Sequence, residues 1–166
     1  GLLCGWTEHG DRPAFKIVTG ISTGALIAPF AFVGPEYDHV LREVYTTIST
    51  RDIASRRTII DALTSGALMD NNPLKELVAK YVDDRLLQRI AEESLKGRLL
   101  LIGTTNMDAQ RPVLWSMGAL ARSSHPKALQ LFRDIMVASA SIPGVFPPVL
   151  VDVQGSDGKP YDEMHC

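Results

Sequence analysis

The chain has little cysteine, little net charge and no long hydrophobic run, and each shortage excludes a class of protein. Two cysteines, Cys4 and Cys166, occur in 166 residues, too few for a disulfide framework or a cysteine-rich metal motif. The formal net charge is −2, so no broad basic surface is expected and nucleic-acid binding is disfavoured. The sequence indicates neither a metal nor a cofactor, and it is silent on oligomeric state.

The longest apolar run spans about residues 25–33 and is broken by Pro29, so it is too short to cross a bilayer. No charged segment followed by an apolar one marks a signal peptide, which favours a cytoplasmic or membrane-peripheral protein. The chain begins at Gly1 without a methionine and stops just after a strand-like segment. We therefore expect both ends to be cut, with any targeting signals outside this sequence.

What the chain does have is an ordinary globular composition, with 45% hydrophobic and 22% charged residues. Its length predicts one domain with a substantial core. Apolar strand patterns alternate with amphipathic helix patterns, which predicts an α/β fold with a mainly parallel sheet and helices on both faces. Strands are predicted at Phe15–Thr19, Leu99–Thr105, Pro112–Trp115, Pro147–Val153 and Pro160–His165, with the second and third paired in a hairpin.

Helices are predicted at Gly1–Glu8, after Ser22 to a close at Pro29 and Gly34-Pro35, over Tyr37–Ser49, from Asn72 to about Ser94, and from Ser123 to Pro143. Asn72 and Pro73 suit the start of the fourth helix. Asp83 and Asp84 could divide that helix in two. Residues 50–67 predict only short helices, and the arginines there (Arg51, Arg56 and Arg57) fit a solvated face better than an anion site.

The strongest chemical signal is the stretch Phe15–Pro29, FKIVTGISTGALIAP, which predicts a strand, a sharp turn and a helix. The turn has the Gly-x-Ser-x-Gly pattern of a nucleophile elbow. Such a turn exposes a serine hydroxyl, and the following helix favours negative charge on an acyl carbonyl under attack. Glycine suits the unusual backbone angles and the close strand–helix approach. The pattern comprises Gly20, Ile21, Ser22, Thr23 and Gly24; an incidental serine in a structural turn is the alternative.

Four segments together resemble the patatin-like phospholipases over nearly the whole chain. They are Gly20–Gly24, the DNNPL stretch Asp70–Leu74, the LLLIGTTN stretch Leu99–Asn106, and ASASIPGVFPP at Ala138–Pro148. The resemblance implies a three-layer α/β/α sandwich and a lipid acyl hydrolase that meets membrane surfaces transiently. It also implies a serine–aspartate dyad, with Ser22 as the nucleophile that forms an acyl-enzyme.

Two parts of the family pattern do not occur in these 166 residues. The family's oxyanion loop, Gly-Gly-Gly-x-Arg-Gly, would precede the helix at Gly1–Glu8. Its aspartate, in Asp-Gly-Gly or Asp-Gly-Ala, would follow the strand at Tyr161–His165. We therefore interpret residues 1–166 as a single patatin-like domain without either element. Because Ser22 then lacks its base, we predict little or no activity for residues 1–166 alone.

Other carboxylates and histidines give weaker candidates for the missing base. Asp157 lies in an Asp-Gly pair that is more typical of a hairpin tip, and Asp152 and Asp162 fit structural or surface roles in strands. A Ser–Asp–His triad could use His165, which follows these aspartates in the order that some esterases have. His125 precedes a proline at a predicted helix start, where capping or solvent exposure fits better.

Several polar residues could line the site or serve structure alone. Ser139 and Ser141 flank it, but small residues that bond to the backbone are common at a helix end. Thr104, Thr105 and Asn106 lie at the carboxyl end of a strand, where α/β sheets bind ligands, or simply end that strand. Arg111 fits a turn. A non-catalytic interaction module and a triad esterase remain the alternative functions, and neither head group nor acyl-chain length can be predicted.

Overall fold

A computed structural model describes residues 1–47, 55–56, 69–154 and 159–166 of the chain. Within these ranges it contains seven α-helices, a short 3-10 helix at Pro35–Tyr37 and seven strands. The helices are α1 Leu2–His9, α2 Thr23–Val33, α3 Asp38–Thr47, α4 Asn72–Tyr81, α5 Asp84–Leu95, α6 Met117–Ala121 and α7 Ala128–Ala140. The strands are β1 Ile17–Gly20, β2 Ser55–Arg56, β3 Met69–Asp70, β4 Leu99–Asn106, β5 Arg111–Ser116, β6 Val149–Gln154 and β7 Pro160–His165.

The main sheet is mixed, which corrects the prediction of a mainly parallel one. β1 runs parallel to β4, with Ile17 opposite Leu99, but β5 and β7 pair antiparallel with β4, and β6 pairs antiparallel with β7. The links from β4 to β5 and from β6 to β7 are short. Short links can join only antiparallel strands, whereas parallel neighbours need a crossover of a dozen residues or more. The hairpin predicted from Leu99 to Trp115 is confirmed.

β1 and β7 lie along the same edge of β4, one after the other. The Leu99 amide of β4 donates to the Lys16 carbonyl at 2.9 Å. Further along that edge, Thr105 and Cys166 exchange backbone hydrogen bonds of 2.6 and 3.0 Å. Amides of alternate residues in a strand point to the same side, so these partners share one edge. Gly103 of β4 therefore lies between the end of β1 and the end of β7.

The core lies between the sheet and the helices α2, α4, α5 and α7. Its largest fully buried side chains include Phe32, Phe132, Leu86, Ile90, Ile102 and Ile135. On the opposite face of the sheet, Ile17, Leu99, Leu114 and Leu150 are 45–69% exposed. In the described part of the chain, helices therefore cover one face of the sheet, and a third layer remains a prediction.

Local sequence signals account for most helix ends. Gly10 follows α1 in the left-handed conformation with φ 91°, and its amide donates to Trp6 and Thr7, as a C-terminal glycine does. The predicted break at Asp83 and Asp84 is confirmed, because the Asp83 carboxylate accepts from the Leu86 amide at 2.8 Å and caps α5.

Other predicted boundaries differ from the structure. α2 continues through Pro29, which removes only one hydrogen bond inside a helix, and it ends at Val33 before Gly34. The predicted close at Gly34-Pro35 is therefore confirmed, and the one at Pro29 is wrong. α4 is preceded by Asn71 rather than Asn72, and the Asp70 carboxylate accepts from the Asn72 amide at 3.1 Å. The short helix α6 was not predicted, and most of the 50–67 stretch lies outside the described residues. No helix in the described ranges is both long and apolar enough to cross a bilayer.

Candidate active site

The strand-to-helix turn predicted around Ser22 is present. β1 ends at Gly20 and α2 begins at Thr23, with Ser22 between them at φ 56° and ψ −127°. A positive φ is uncommon for a residue with a side chain and costs free energy. Ser22 is nevertheless exposed. The sharp turn therefore places its strain on the serine itself and leaves that residue accessible to solvent.

The two glycines of the motif have different roles. A Cβ at Gly20 would lie 2.5 Å from the Gly24 carbonyl oxygen and 2.8 Å from the Ala25 Cα, both backbone atoms that cannot move aside. A Cβ at Gly24 would meet no atom within 4 Å. The expectation that close approach requires glycine is thus correct for Gly20 and wrong for Gly24, whose position in the first turn of α2 is open.

Ser139, near the end of α7, connects the turn to the sheet. Its hydroxyl accepts a hydrogen bond from the Ser22 amide at 3.0 Å and donates one to the Gly103 carbonyl at 2.6 Å. Ser139 is buried, whereas Ser22 is exposed. The side chain thus joins three segments that are distant in sequence. The pattern ASAS indicated proximity to the site but not this contact.

Gly103 also provides space for the turn. A Cβ there would lie 3.1 Å from the Ile21 Cγ1 and 3.6 Å from Leu114, so the Ile21 side chain lies against the backbone of β4. Ile21 remains 70% exposed. The residue before the serine therefore presents an apolar side chain to solvent beside the exposed hydroxyl.

The backbone amides around Ser22 differ in whether they already have a hydrogen-bond acceptor. The Ser22 amide donates to Ser139, the Gly24 amide to the Ile21 carbonyl at 2.9 Å, and the Ala25 amide to the Ser22 carbonyl at 2.9 Å. Among the described residues, the Thr23 amide has no acceptor. As the first residue of α2 it carries one of the N–H groups that a helix leaves unpaired, at the positive end of the helix dipole.

His165 is fully buried in a polar cluster at the end of β4. Its Nδ1 lies 3.0 Å from the Thr104 hydroxyl, and its Nε2 lies 3.1 Å from the Glu163 carboxylate. The Trp115 indole N–H donates to the same hydroxyl at 2.8 Å. Because the two ring nitrogens of His165 lie against Thr104 and Glu163 and neither bonds Ser22, the arrangement does not match a triad, in which the histidine bonds the nucleophile.

A known family matches most of the chain. A model of the patatin-like phospholipases matches residues 1–162. The chain belongs to the patatin-like phospholipase family. A search of curated proteins finds no match.

The weaker carboxylate candidates of this patatin-like chain lie in other settings. Asp152 and Asp162 are direct cross-strand neighbours in the β6–β7 hairpin. The Lys127 ammonium, 2.9 Å from Asp152, lowers the pKa of that carboxyl group, while the adjacent Asp152 raises the pKa of Asp162. Asp157 lies outside the described residues. Asp152 and Asp162 thus form a surface cluster with Lys127, as the structural interpretation predicted.

The remaining candidates have mainly structural partners. The Nδ1 of His125 accepts from the Lys127 amide at 3.2 Å just before α7, but no side chain caps that helix; His125 is exposed, as its alternative interpretation predicted. The hydroxyl of Ser141 donates to the Val137 carbonyl at 2.8 Å within α7. Thr105 bonds Cys166 through its backbone, and Arg111 is exposed at the start of β5.

Asn106 is buried at the end of β4, and its amide nitrogen has no partner among the described residues, although its oxygen accepts from the Ala109 amide at 2.8 Å. Within the same ranges, no group of three or more histidine, cysteine or acidic side chains is placed to hold a metal ion.

Proposed function

We propose that this chain is a lipid acyl hydrolase domain in which Ser22 is the nucleophile. The observation that carries the proposal is the backbone of Ser22, which adopts a strained positive φ at an exposed strand–helix turn. Such strain persists only where the surroundings enforce it, and it clusters at functional sites. The exposed Ile21 beside Ser22 supports an apolar ester as substrate, encountered transiently at a lipid surface.

The proposed reaction has two steps. The Ser22 oxygen attacks the ester carbonyl while its proton passes to a base, and the base then gives that proton to the leaving oxygen, so that the alcohol departs and an acyl-enzyme remains. Water attacks the acyl-enzyme and gives a proton to the base, which returns it to the Ser22 oxygen as the acid is released. The negative charge on the carbonyl oxygen is favoured by the unpaired Thr23 amide and by the N-terminal end of α2.

The base and the remaining oxyanion donors are proposed to come from segments that flank residues 1–166. In residues 1–47, 55–56, 69–154 and 159–166, no carboxylate or imidazole hydrogen-bonds the Ser22 hydroxyl. The register supports a contribution from residues that would follow Cys166. In an antiparallel ladder, the partners after Thr105–Cys166 are Thr104 and then Gly103, about 7 Å along the edge.

The Gly103 carbonyl is bonded to Ser139, which holds the Ser22 amide. A strand continued past Cys166 in this register would therefore run toward Ser22. We propose that the family's Asp-Gly-Gly or Asp-Gly-Ala motif provides the base there and that the Gly-rich loop provides oxyanion donors. Removing one such donor typically costs about 3–4 kcal/mol of transition-state stabilisation.

The test compares ester hydrolysis by residues 1–166 with hydrolysis by a chain that also carries a Gly-rich loop before Gly1 and an Asp-Gly-Gly segment after Cys166. A short-chain nitrophenyl ester and short-chain phosphatidylcholine serve as substrates. We expect hydrolysis only by the longer chain. Comparable turnover by both would contradict the proposed source of the base.

A non-catalytic interaction module is the second candidate, and the unpaired Ser22 hydroxyl of the described chain favours it. A fluorophosphonate probe separates the two. Labelling that Ser22→Ala abolishes supports the hydrolase, whereas a folded, longer chain that does not react supports the module. The engaged nitrogens of His165 argue against the triad esterase.

A further inference from the structure

The Ser139 hydroxyl is the one side-chain group bonded to the backbone of Ser22 in the part of the chain that the structure describes. The contact spans 117 residues of sequence. A hydroxyl can donate one hydrogen bond and accept others, and Ser139 does both, to the Gly103 carbonyl and from the Ser22 amide. Its proton is therefore directed to β4 and its lone pair to Ser22.

This contact restrains a backbone conformation that is strained. Ser22 has φ 56°, in a region that a residue with a Cβ leaves unless other contacts restrain it. On one side, the close approach of Gly20 to Gly24 and Ala25 fixes the turn. On the other side, the hydrogen bond that the Ser22 amide donates to the Ser139 hydroxyl fixes the peptide plane before Ser22.

We propose that Ser139 is a positioning residue for Ser22, whose hydroxyl ties the Ser22 amide to the Gly103 carbonyl and so maintains the strained, exposed conformation of the serine. This role matters for catalysis only if Ser22 is the nucleophile, so it rests on the proposed function. It has a second consequence for the site. Because the Ser22 amide is bonded to Ser139, it is not free to bind a substrate oxyanion, whereas the Thr23 amide has no acceptor among the described residues.

Ser141 provides a matched control. It is buried directly after the same helix, two residues further on, but among the described residues its hydroxyl bonds only the Val137 carbonyl of that helix. Ser139→Ala and Ser141→Ala each remove one buried hydroxyl. They differ in that the first leaves a backbone amide at the turn and a carbonyl of β4 without this partner.

Amide hydrogen exchange, followed residue by residue by NMR, tests the proposal without requiring activity. In the unsubstituted chain, the Ser22 amide should exchange at least about tenfold more slowly than the unpaired Thr23 amide, since one hydrogen bond protects it. Ser139→Ala should accelerate exchange at Ser22 about tenfold, with the Ala25 amide as an internal reference that changes less than about threefold. Ser141→Ala should leave the exchange rates of the Ser22 and Ala25 amides within about threefold of those in the unsubstituted chain.

Equal exchange at Ser22 and Thr23 in the unsubstituted chain would overturn the proposal even if Ser139→Ala failed to fold. So would unchanged exchange at Ser22 in Ser139→Ala, or equal acceleration by Ser141→Ala. In a form of the protein whose Ser22 reacts with a fluorophosphonate, Ser139→Ala should also slow labelling about tenfold, and unaltered labelling would count against the role. A chain without Ser22-dependent labelling contradicts the proposed function, whereas the exchange result still decides the role of Ser139.

Discussion

At the scale of single residues, the backbone of Ser22 is the feature on which the account depends. A side chain at φ 56° costs about 1–3 kcal/mol, and glycine avoids that cost. Ser22→Gly should therefore be more stable than Ser22→Ala by about 0.5–2 kcal/mol, after the greater unfolded-state entropy of glycine is deducted. Urea unfolding of the two variants measures the difference.

Ser141 gives the control for that comparison, since its φ is −86°. There, alanine should be the more stable of the two replacements, by about 0.5–1 kcal/mol. An alanine variant at Ser22 as stable as the glycine variant would show that the turn carries no strain.

The paired glycines of the turn allow a second residue-scale prediction. Gly20→Ala places a Cβ 2.5 Å from a backbone oxygen, so strand and helix must separate, and we expect a loss of stability of about 2–4 kcal/mol. Gly24→Ala introduces the same methyl group into open space on a helix, where alanine is preferred, and should gain up to about 1 kcal/mol. Equal effects of the two substitutions on the urea midpoint would contradict this distinction.

At this scale, the sequence predicted the chemistry but not the contacts. The pattern Gly-x-Ser-x-Gly identified the turn and the exposed serine, because both follow from a local strand–helix connection. It could not show that Gly20 alone is sterically required, since that depends on the path of α2 over β1. Nor could it show the bond from Ser22 to Ser139, which forms only when α7 packs against the end of β4.

At the scale of elements, the end of α5 contains a buried charge that makes stability depend on pH. The Glu93 carboxylate accepts from Lys96 and from Arg98, each at 2.6 Å. The hydrogen bond from Lys96, supported by that from Arg98, outweighs the opposing effect of burial and lowers the pKa of Glu93 in the folded chain. Its contribution is therefore present above the unfolded pKa of about 4.3 and is lost as pH falls through the lower folded pKa.

Glu93→Gln should consequently reduce the loss of unfolding free energy between pH 6 and pH 3, although the variant is less stable at neutral pH because Arg98 loses a buried partner. Chemical unfolding at a series of pH values measures the slope. Glu76→Gln, at an exposed position on α4, should keep the slope of the unsubstituted chain. The same loss of unfolding free energy between pH 6 and pH 3 in Glu93→Gln and in the unsubstituted chain would contradict the role of Glu93 in acid sensitivity.

The elements themselves were predictable where a strong local signal ends them. Gly10 ended α1 and Asp83 began α5 as expected, because a left-handed glycine and a capping carboxylate act within a few residues. The prediction of a mainly parallel sheet is wrong. An alternation of strand and helix patterns does not determine strand direction, and the predicted hairpins require antiparallel neighbours. α2 extends past Pro29 because a proline weakens a helix locally without deciding how far its buried face extends.

At the scale of the whole molecule, Arg98 connects the segment just before β1 with the helices α2 and α5. Its guanidinium donates to the Phe15 carbonyl at 2.8 Å, the Phe32 carbonyl at 2.7 Å and the Glu93 carboxylate at 2.6 Å. A lysine ammonium is a single point and cannot reproduce this fork. Arg98→Lys should therefore lower the free energy of unfolding by about 1–3 kcal/mol.

Arg42→Lys is the matched control for that substitution. Arg42 pairs with Glu8 at 2.6 Å in an exposed position, where an ion pair contributes little. Arg42→Lys should change the free energy of unfolding, measured with urea, by no more than an ordinary surface substitution does, about 0.5 kcal/mol. Equal effects of Arg98→Lys and Arg42→Lys would show that the three-way contact does not stabilise the fold.

The most direct test of the central claim is the effect of Ser22→Ala on ester hydrolysis, measured in a form of the protein that carries the proposed base and oxyanion loop. If Ser22 is the nucleophile, kcat should fall by about 10⁴-fold or more, while the urea midpoint stays close to that of the unsubstituted chain. Hydrolysis that survives the substitution within about tenfold would exclude Ser22 from the chemistry, and with it the assignment of this turn as the active site.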